Sequence, residues 1–210
     1  MQIIELSKEE VISLFLQKNK IVNFGIYGYM LPYQNNYIKL FHKKLPNTFV
    51  TPTSTNLDRE IKLLQTIETI TDSHPLKKIK EKMIALQNTS SNNLIKAIIT
   101  YNNYPIGVLL TKYQDYTPLL NIKNTLTNEE KITILKKIKD LLEELQNNNI
   151  YITNFNETNI IIRKSDHDIK IVNLDTSTTK VKSPEYKSNL DLIKKTIYQK
   201  YNILTKTFLN

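Results

Sequence analysis

Apolar side chains recur at helical spacing in several segments of this 210-residue chain. Two of the segments open with a capping box, a serine or threonine followed three residues later by glutamate, at Ser7 and Thr127. The helix predicted over 128–146 carries an apolar stripe formed by Ile132, Leu135, Ile138, Leu142 and Leu145. The further candidates for helices are 56–70, 188–204 and, as either a helix or an extended insert, 73–87.

Runs rich in β-branched and aromatic residues predict strands that are joined as hairpins. The run over 20–31 is joined to 35–41 by the turn sequence PYQNN. Residues 93–113 predict a second hairpin that turns at YNNYPIG, and 159–175 predict a third that turns at KSDHD. The chain therefore has strands with one helix first, a hinge near 111–113, and a mostly helical half last. This order predicts an α+β fold.

Basic residues outnumber acidic ones, 29 to 20, so the formal net charge is +9. A positive surface favours acidic partners such as nucleic acid, a nucleotide or an anionic lipid. A lysine-, asparagine- and isoleucine-rich composition, typical of an AT-rich genome, explains the same excess, because the lysines are spread along the chain. Lys136, Lys137 and Lys139 are candidates for a nucleic-acid contact, and they also suit a solvated helix face.

The composition excludes several kinds of site. The chain has no cysteine, which rules out disulfides and thiolate zinc sites. Its three histidines, His42, His74 and His167, show no metal-ligand spacing, so we expect none of them to bind a metal. No apolar run reaches the length of a membrane span, and the N-terminal sequence is not that of a signal peptide. We therefore expect a soluble, intracellular protein of the cytoplasm.

Two of the three glycines, Gly25 and Gly28, lie three residues apart in the stretch NFGIYGYM. Glycine is favoured where φ is positive or where another group approaches the backbone closely. A tight hairpin needs the first property, and a loop that cradles phosphate needs both. With Tyr27 at its tip, the stretch resembles the glycine loop of the protein-kinase family, G-x-G-x-[FY]-G-x-V, in two of its three glycines and in its aromatic residue.

The segments that follow extend the resemblance to protein kinases over nearly the whole chain. Lys39 in YIKLF matches the strand lysine that holds the α- and β-phosphates, and Glu60 in LDREIKLL matches the helix glutamate that pairs with it. The resemblance implies that the backbone from Thr111 to Tyr113 binds the adenine edge, with Leu110 near the gatekeeper position. It therefore implies ATP as the bound nucleotide.

The second half of the chain resembles the catalytic half of the family but departs from it in the chemistry. NNNIYITNFNETNIII resembles the catalytic loop, with Asn159 on the metal-binding asparagine, Asn154 in place of the catalytic aspartate, and Ile152 in place of the histidine. IKIVNLD resembles the strand into the D-F-G motif, with Asn173 at the metal-binding aspartate and Asp175 at the glycine. An amide lacks the charge and basicity of a carboxylate, so general-base catalysis and the binding of Mg²⁺ or Mn²⁺ are both impaired.

Asp175 is a candidate replacement for the metal ligand that the resemblance finds missing at Asn173. Asp175 lies two residues after Asn173, and in an extended chain both side chains would point to the same face, so Asp175 could reach a metal. A loop aspartate that caps a turn is the alternative. Ser183–Glu185 matches the A-P-E motif that closes the activation segment, and Asp191 a structural aspartate of the family. The segments around them are short, so we expect the helices that dock a peptide substrate to be missing.

We therefore predict a two-lobed, protein-kinase-like α+β fold. Its parts are an antiparallel N-lobe sheet with one packed helix over 1–110, a hinge over 111–113, and a shortened, mainly helical C-lobe over 114–210. The predicted function is that of a pseudokinase, a nucleotide-pocket protein that acts as a binding or regulatory module for a protein partner. One alternative is an active, atypical ATP-dependent phosphotransferase that uses Asp175 as its metal ligand. The other is a basic nucleic-acid-binding or scaffold protein.

Overall fold

The chain forms two compact units of secondary structure in this computed structural model. One unit comprises residues 1–83 and 93–112, and the other comprises 84–92 and 113–210. The predicted ranges of the N-lobe, the hinge and the C-lobe stay predictions. The residues that the structure describes are 2–25, 27–42, 58–59, 61–62, 65, 74–89, 94–152, 155 and 157–179.

A mixed sheet of six described strands forms the first unit. The strands are β1 (Gln2–Glu5), β2 (Asn23–Gly25), β3 (Gly28–Tyr33), β4 (Asn36–Phe41), β5 (Ile95–Tyr101) and β6 (Tyr104–Thr111). Their order across the sheet is β1-β5-β6-β4-β3-β2. All neighbours are antiparallel except β1 and β5, so the hairpins predicted over 20–41 and 93–113 are confirmed. The run over 20–31, predicted as one strand, contains β2 and the start of β3 instead.

The parallel strand β1 corrects the prediction of a wholly antiparallel sheet. Its residues Gln2 to Glu5 pair in register with Ala97 to Thr100 of β5. These four residues are mostly exposed, so they show no clear apolar pattern. A parallel partner is reached by a long connection and not by a tight turn, so no turn sequence marks the pairing either. Only the pairing with β5 identifies this segment as a strand.

More than one helical segment contributes to the core of the first unit, where one packed helix was predicted. The first, α1 (Lys8–Leu16), begins at Ser7, whose hydroxyl accepts from the Glu10 amide while the Glu10 carboxylate accepts from the Ser7 amide. Val11 and Leu14 of α1 are buried in one apolar cluster with side chains of the sheet. Ile61, which is helical, belongs to the same cluster.

Residues 73–87, predicted as a helix or an extended insert, contain the helix α2 (Ile79–Gln87). A turn over 74–78 precedes it. The boundary between the two units falls within α2, after Met83. Of the two interpretations that the sequence left open, the helical one is therefore correct.

The described part of the second unit combines one long helix with two small sheets. Its elements are β7 (Tyr116–Pro118), α3 (Leu119–Ile122), α4 (Asn128–Asn147), β8 (Ile150–Tyr151), β9 (Ile160–Arg163), β10 (Asp168–Ile171) and β11 (Thr178–Thr179). One sheet has the order β10-β9-β7, and β11 pairs with β8 in the other. The β9–β10 hairpin confirms the third predicted hairpin. The predicted helix over 188–204, Ser183–Glu185 and Asp191 lie outside the described residues.

The long helix α4 confirms its predicted capping box at Thr127 and most of its apolar stripe. Its buried side chains are Ile134, Leu135, Ile138, Leu142 and Leu145. Ile132, predicted to be in the stripe, is 46% exposed. At about 100° per residue, Ile132 lies about 100° around the helix from the stripe's centre, whereas Ile134 lies only about 60° from it. The buried face is therefore rotated relative to the predicted one.

The longest helix in the described part of the chain is α4 (Asn128–Asn147). None of the described helices is both long enough and apolar enough to span a bilayer.

Candidate functional site

The residues predicted to form the site are divided between the two units. Glu60 and Asn154 lie outside the described residues, so the predicted Lys39–Glu60 ion pair stays a prediction. The first unit contains Gly25, Tyr27, Gly28, Lys39, Leu110 and Thr111. The second unit contains Tyr113, Asn159, Asn173 and Asp175.

The glycine stretch forms a hairpin in the first unit. Gly25 ends β2 and pairs with Gly28, the first residue of β3, and Tyr27 lies in the turn between them. A β-carbon at Gly28 would overlap the carbonyl oxygen of Leu40 and lie 3.1 Å from the α-carbon of Phe41. The group that approaches Gly28 closely is therefore the backbone of β4, which explains this glycine without a phosphate.

We expect Gly28→Ala to destabilise the protein, because β3 and β4 would have to separate to admit the methyl group. Strain of this kind typically costs about 1–3 kcal/mol. Gly107→Ala should have a similar effect, since a β-carbon on this β6 residue would overlap the carbonyl oxygen of Lys39, which also lies on β4. Urea unfolding would measure the free energy of unfolding of both variants. The control is Lys96→Ala, at an exposed position of β5, which we expect to change that free energy by less than about 0.5 kcal/mol. A Gly28→Ala protein as stable as the control would contradict the close approach.

Lys39 lies on an interior strand of the first unit's sheet. It pairs with Met30 of β3 on one side and with Val108 of β6 on the other. Its side chain is half-buried, and its Nζ lies 5.7 Å from the centre of the Phe41 ring. One sheet thus places the lysine strand between the strand that begins at Gly28 and the strand that leads to residues 110–111.

The end of β6 contains Leu110, predicted near the gatekeeper position, and Thr111, the first residue of the predicted hinge. Leu110 is buried, with 8% of its surface exposed. The amide of Thr111 donates to the carbonyl oxygen of Leu94 at 2.8 Å. The Thr111 amide therefore already bonds within the first unit, and an adenine that used this backbone amide would have to compete with Leu94.

In the second unit, the catalytic-loop-like and NLD segments are joined by a backbone hydrogen bond. Asn159 ends a short 3-10 helix, is buried, and accepts at its carbonyl oxygen from the Val172 amide at 2.7 Å. Asn173 follows at once and adopts the left-handed conformation, with φ 63° and ψ 29°. Asparagine tolerates this conformation better than most residues, which is a local reason for an amide at this position.

Asp175 is almost completely buried, with 1% of its surface exposed, in the 3-10 helix Leu174–Thr176. The suggestion that Asp175 could reach a metal assumed an extended chain from Asn173 onward. The left-handed residue followed by a 3-10 turn shows that this assumption is wrong. The alternation of side chains in a strand therefore gives no reason for Asn173 and Asp175 to share a face.

The chemistry of these side chains does not fit the usual Mg²⁺ site at a nucleotide. Such a site relies on one or two carboxylates together with phosphate oxygens. Asn159 and Asn173 offer neutral amide oxygens, and only Asp175 offers a carboxylate. Within the described ranges, no three His, Cys, Asp or Glu side chains gather in a way that could hold a metal ion.

Tyr113, the last residue of the predicted hinge, lies beside an ionic cluster on the β10-β9-β7 sheet that the sequence did not indicate. Its ring is 5.2 Å from that of Tyr116, whose hydroxyl donates to the Asp168 carboxylate. Burial and this hydrogen bond raise the pKa of Tyr116 to about 12. Arg163 pairs with Asp166 at 2.7 Å, and its hydrogen bond lowers the pKa of Asp166 to about 2. Arg163, Asp166 and Asp168 belong to one hairpin, and only Tyr116 comes from a distant strand. The sequence therefore gives no sign that the Tyr116 hydroxyl joins these charges.

The lysines proposed for a nucleic-acid contact are partly engaged within the second unit. Lys137 donates to the His167 carbonyl oxygen at 2.6 Å, and Lys139 lies 3.7 Å from the Glu143 carboxylate. Lys136 is exposed. Two of the three charges thus have local partners, which suits a solvated helix face.

Sequence reasoning gave His74 no role, and it is one of the most buried polar residues described in the first unit. Its surface is 2% exposed, and its ring meets that of Tyr27 edge-on at 5.4 Å. A lone histidine in a turn gives no signal of such a contact, because Tyr27 lies far away in sequence.

Comparison with known proteins gives no family for this chain: no family model matches it, and no match was found among curated proteins.

Proposed function

We propose that this protein is a pseudokinase: a protein-kinase-like chain that binds a nucleotide, has lost standard catalysis, and acts as a binding or regulatory module for a protein partner. The two-lobed arrangement belongs to the same proposal. The observation that carries it is the hydrogen bond from the Val172 amide to the Asn159 carbonyl oxygen at 2.7 Å. It joins the catalytic-loop-like segment to the NLD segment, and these contain Asn159 and Asn173, the two amides at the family's metal-binding positions.

The first unit supports the nucleotide part of the proposal. Lys39, the residue assigned to the phosphates, lies in the same sheet as the Gly25–Gly28 hairpin and as the strand that leads toward the predicted hinge. The half-buried Lys39 has its ammonium group 5.7 Å from the centre of an aromatic ring, a contact that helps to hold the side chain in place. A strand lysine of this kind is suited to bind phosphate as a point charge.

The second unit supports the loss of catalysis. A general base must accept a proton, and transfer from ATP needs positive charge on the phosphates and a positioned nucleophile. The sequence has Asn154 and Asn173 where the family has aspartates. Neither amide supplies basicity or negative charge, so a bound nucleotide would remain intact. A protein that holds a nucleotide without consuming it acts through its conformation and its surface.

Nucleotide binding is expected to raise the melting temperature without a requirement for Mg²⁺. With ATP at ten times its Kd, the ligand stabilises by about 1.4 kcal/mol, which corresponds to a shift of about 3–5 °C. The measurement is a thermal-shift titration with ATP, in EDTA and then with Mg²⁺ or Mn²⁺. Lys39→Gln should abolish the shift. Lys96→Gln, which replaces an exposed lysine on β5 of the same sheet, should retain it.

The same titration separates the rival functions. A shift that appears only with Mg²⁺ or Mn²⁺ would favour the atypical phosphotransferase. No shift at millimolar ATP, together with nucleic-acid binding that weakens steeply with salt, would favour the basic nucleic-acid-binding protein. Equal shifts in the Lys39→Gln and Lys96→Gln variants would remove Lys39 from the proposal.

A further inference from the structure

His74 is a buried histidine whose two ring nitrogens both have backbone partners. Its Nδ1 accepts from the Leu76 amide at 3.2 Å, and its Nε2 lies 3.0 Å from the His42 carbonyl oxygen. A nitrogen that accepts from an amide carries no proton, so the ring proton is on Nε2 and donates to His42. These two hydrogen bonds select the neutral ring in one tautomer.

The partner of His74 is itself bonded to the glycine hairpin. The His42 amide donates to the Tyr27 carbonyl oxygen at 2.8 Å. The His74 ring also meets two aromatic rings edge-on, Tyr27 at 5.4 Å and Phe41 at 6.3 Å between centres. The chain of contacts from His74 through His42 to Tyr27 therefore fastens the turn at Tyr27 to the end of β4.

Protonation of His74 would break this arrangement. A proton on Nδ1 would face the Leu76 amide, so an acceptor would become a second donor and the hydrogen bond would be lost. The described charged and titratable groups around the ring offer no compensating negative charge: Tyr27 from the turn, His42 after β4, and the buried Lys82 from α2. Lys39 lies over the Phe41 ring, the more distant of the two rings that His74 meets, and it too carries a positive charge.

We propose that His74 is an acid-sensitive latch: in its neutral form it holds the Tyr27 turn against β4, and protonation of its ring releases that turn. The inference does not rest on nucleotide binding, since every contact in it lies within the first unit. It assigns a conformational role to a residue that the proposed function leaves unused.

The direction of the pH dependence follows from the environment of the ring. Burial, the largest cause, lowers the pKa of His74 from its ordinary 6.5; the hydrogen bond to His42 opposes this, and the charges of Lys82 and His42 add to it. A group with a lowered pKa stabilises the closed turn fully above the ordinary value. That stabilisation is lost as the pH falls below 6.5 toward the lowered pKa.

NMR would test the latch on the whole protein between pH 7.5 and 5. We expect the hydrogen-exchange protection factor of the His42 amide to fall by about threefold or more on acidification, while that of Val108, in the middle of the sheet, stays constant. His74→Gln keeps a donor for the His42 carbonyl but cannot titrate, so its His42 protection should not depend on pH. His167→Gln, which removes a histidine of the second unit, is a control that should keep the wild-type response at the turn.

Each other outcome bears on the latch. A constant His42 protection factor in the wild type, or an unchanged pH response in His74→Gln, would overturn it. A simultaneous fall at Val108 would indicate general unfolding and would also overturn it. If His74→Gln fails to fold, the test is made on the wild type alone. The chemical shift of His74 Cε1 and the protection factor of the His42 amide must then change with pH at the same midpoint, and different midpoints would overturn the latch.

Discussion

Incubated with ATP and a divalent cation, the unmodified protein is expected to transfer no γ-phosphate above background, either to itself or to an added acceptor. Loss of general-base assistance alone costs about 10²- to 10⁴-fold in rate. On the proposed resemblance to protein kinases, Asn154 stands where the base would be and Asn173 where a metal ligand would be, and both side chains are neutral. Because phosphoryl transfer depends on charge neutralisation and positioning, the two losses should compound. An assay with labelled γ-phosphate, against buffer, measures the rate.

Restoring one carboxylate at a time separates binding from chemistry. Asn173→Asp should tighten Mg²⁺–ATP binding by about tenfold or more, because a charge beside the cation is worth about 1–4 kcal/mol near a protein surface. Aspartate also tolerates the left-handed conformation at this position, so the backbone should persist. Asn154→Asp should leave the affinity unchanged, since a general base does not hold the metal. Isothermal titration calorimetry with and without Mg²⁺ compares the two variants.

The atypical phosphotransferase makes the opposite prediction for Asp175. In that case the unmodified protein would transfer phosphate, and Asp175→Ala would abolish the transfer. Because Asp175 is almost completely buried, the isosteric Asp175→Asn and a thermal melt of each variant are needed as controls for folding. If the unmodified protein transfers phosphate and the folded Asp175→Ala and Asp175→Asn variants do not, the pseudokinase proposal is wrong and the protein is an active phosphotransferase.

Ile138→Ala is expected to destabilise the second unit by about 3 kcal/mol, which is in the usual range for truncating a fully buried isoleucine. Ile138 has 0% of its surface exposed and lies in the centre of the buried face of α4. The truncation removes three carbons from a packed interior and leaves a cavity. Urea unfolding, followed by the loss of helical circular dichroism, gives the change in midpoint.

Ile132→Ala is the matched control, because it makes the same substitution six residues earlier in the same helix. Ile132 is 46% exposed, and alanine has the higher helix propensity, so we expect a change of less than about 0.5 kcal/mol in either direction. The apolar stripe taken from sequence predicts similar losses at both positions. Similar losses would therefore contradict the rotated face that the structure gives to α4.

Local chemistry explains which predictions of the fold were correct. The capping boxes at Ser7 and Thr127 join groups only three residues apart, so the sequence contains the whole interaction. The turn of the β5–β6 hairpin is formed by Asn102 and Asn103, which both adopt positive φ, 49° and 62°, as a type I′ hairpin turn requires. Such features need no knowledge of the rest of the chain.

The candidate site was predictable in its parts but not in its contacts. The sequence places Lys39 on a strand and Asn173 just after one, and both placements agree with the structure. It could not show that β4 backbone, rather than a ligand, lies against Gly28. Nor could it show that Asn173 is left-handed and Asp175 buried, because those outcomes depend on how the following turn packs.

The sequence alone determines the positions of the hairpins and the capped helices, the absence of cysteine chemistry, and the neutral side chains of Asn154 and Asn173. Only the tertiary structure decides that β1 pairs in parallel with β5, which face of α4 is buried, and that His74 contacts Tyr27. The physical reason is range. Backbone conformation and capping depend on neighbours within a few residues, whereas burial and strand pairing depend on groups that only the folded chain brings together.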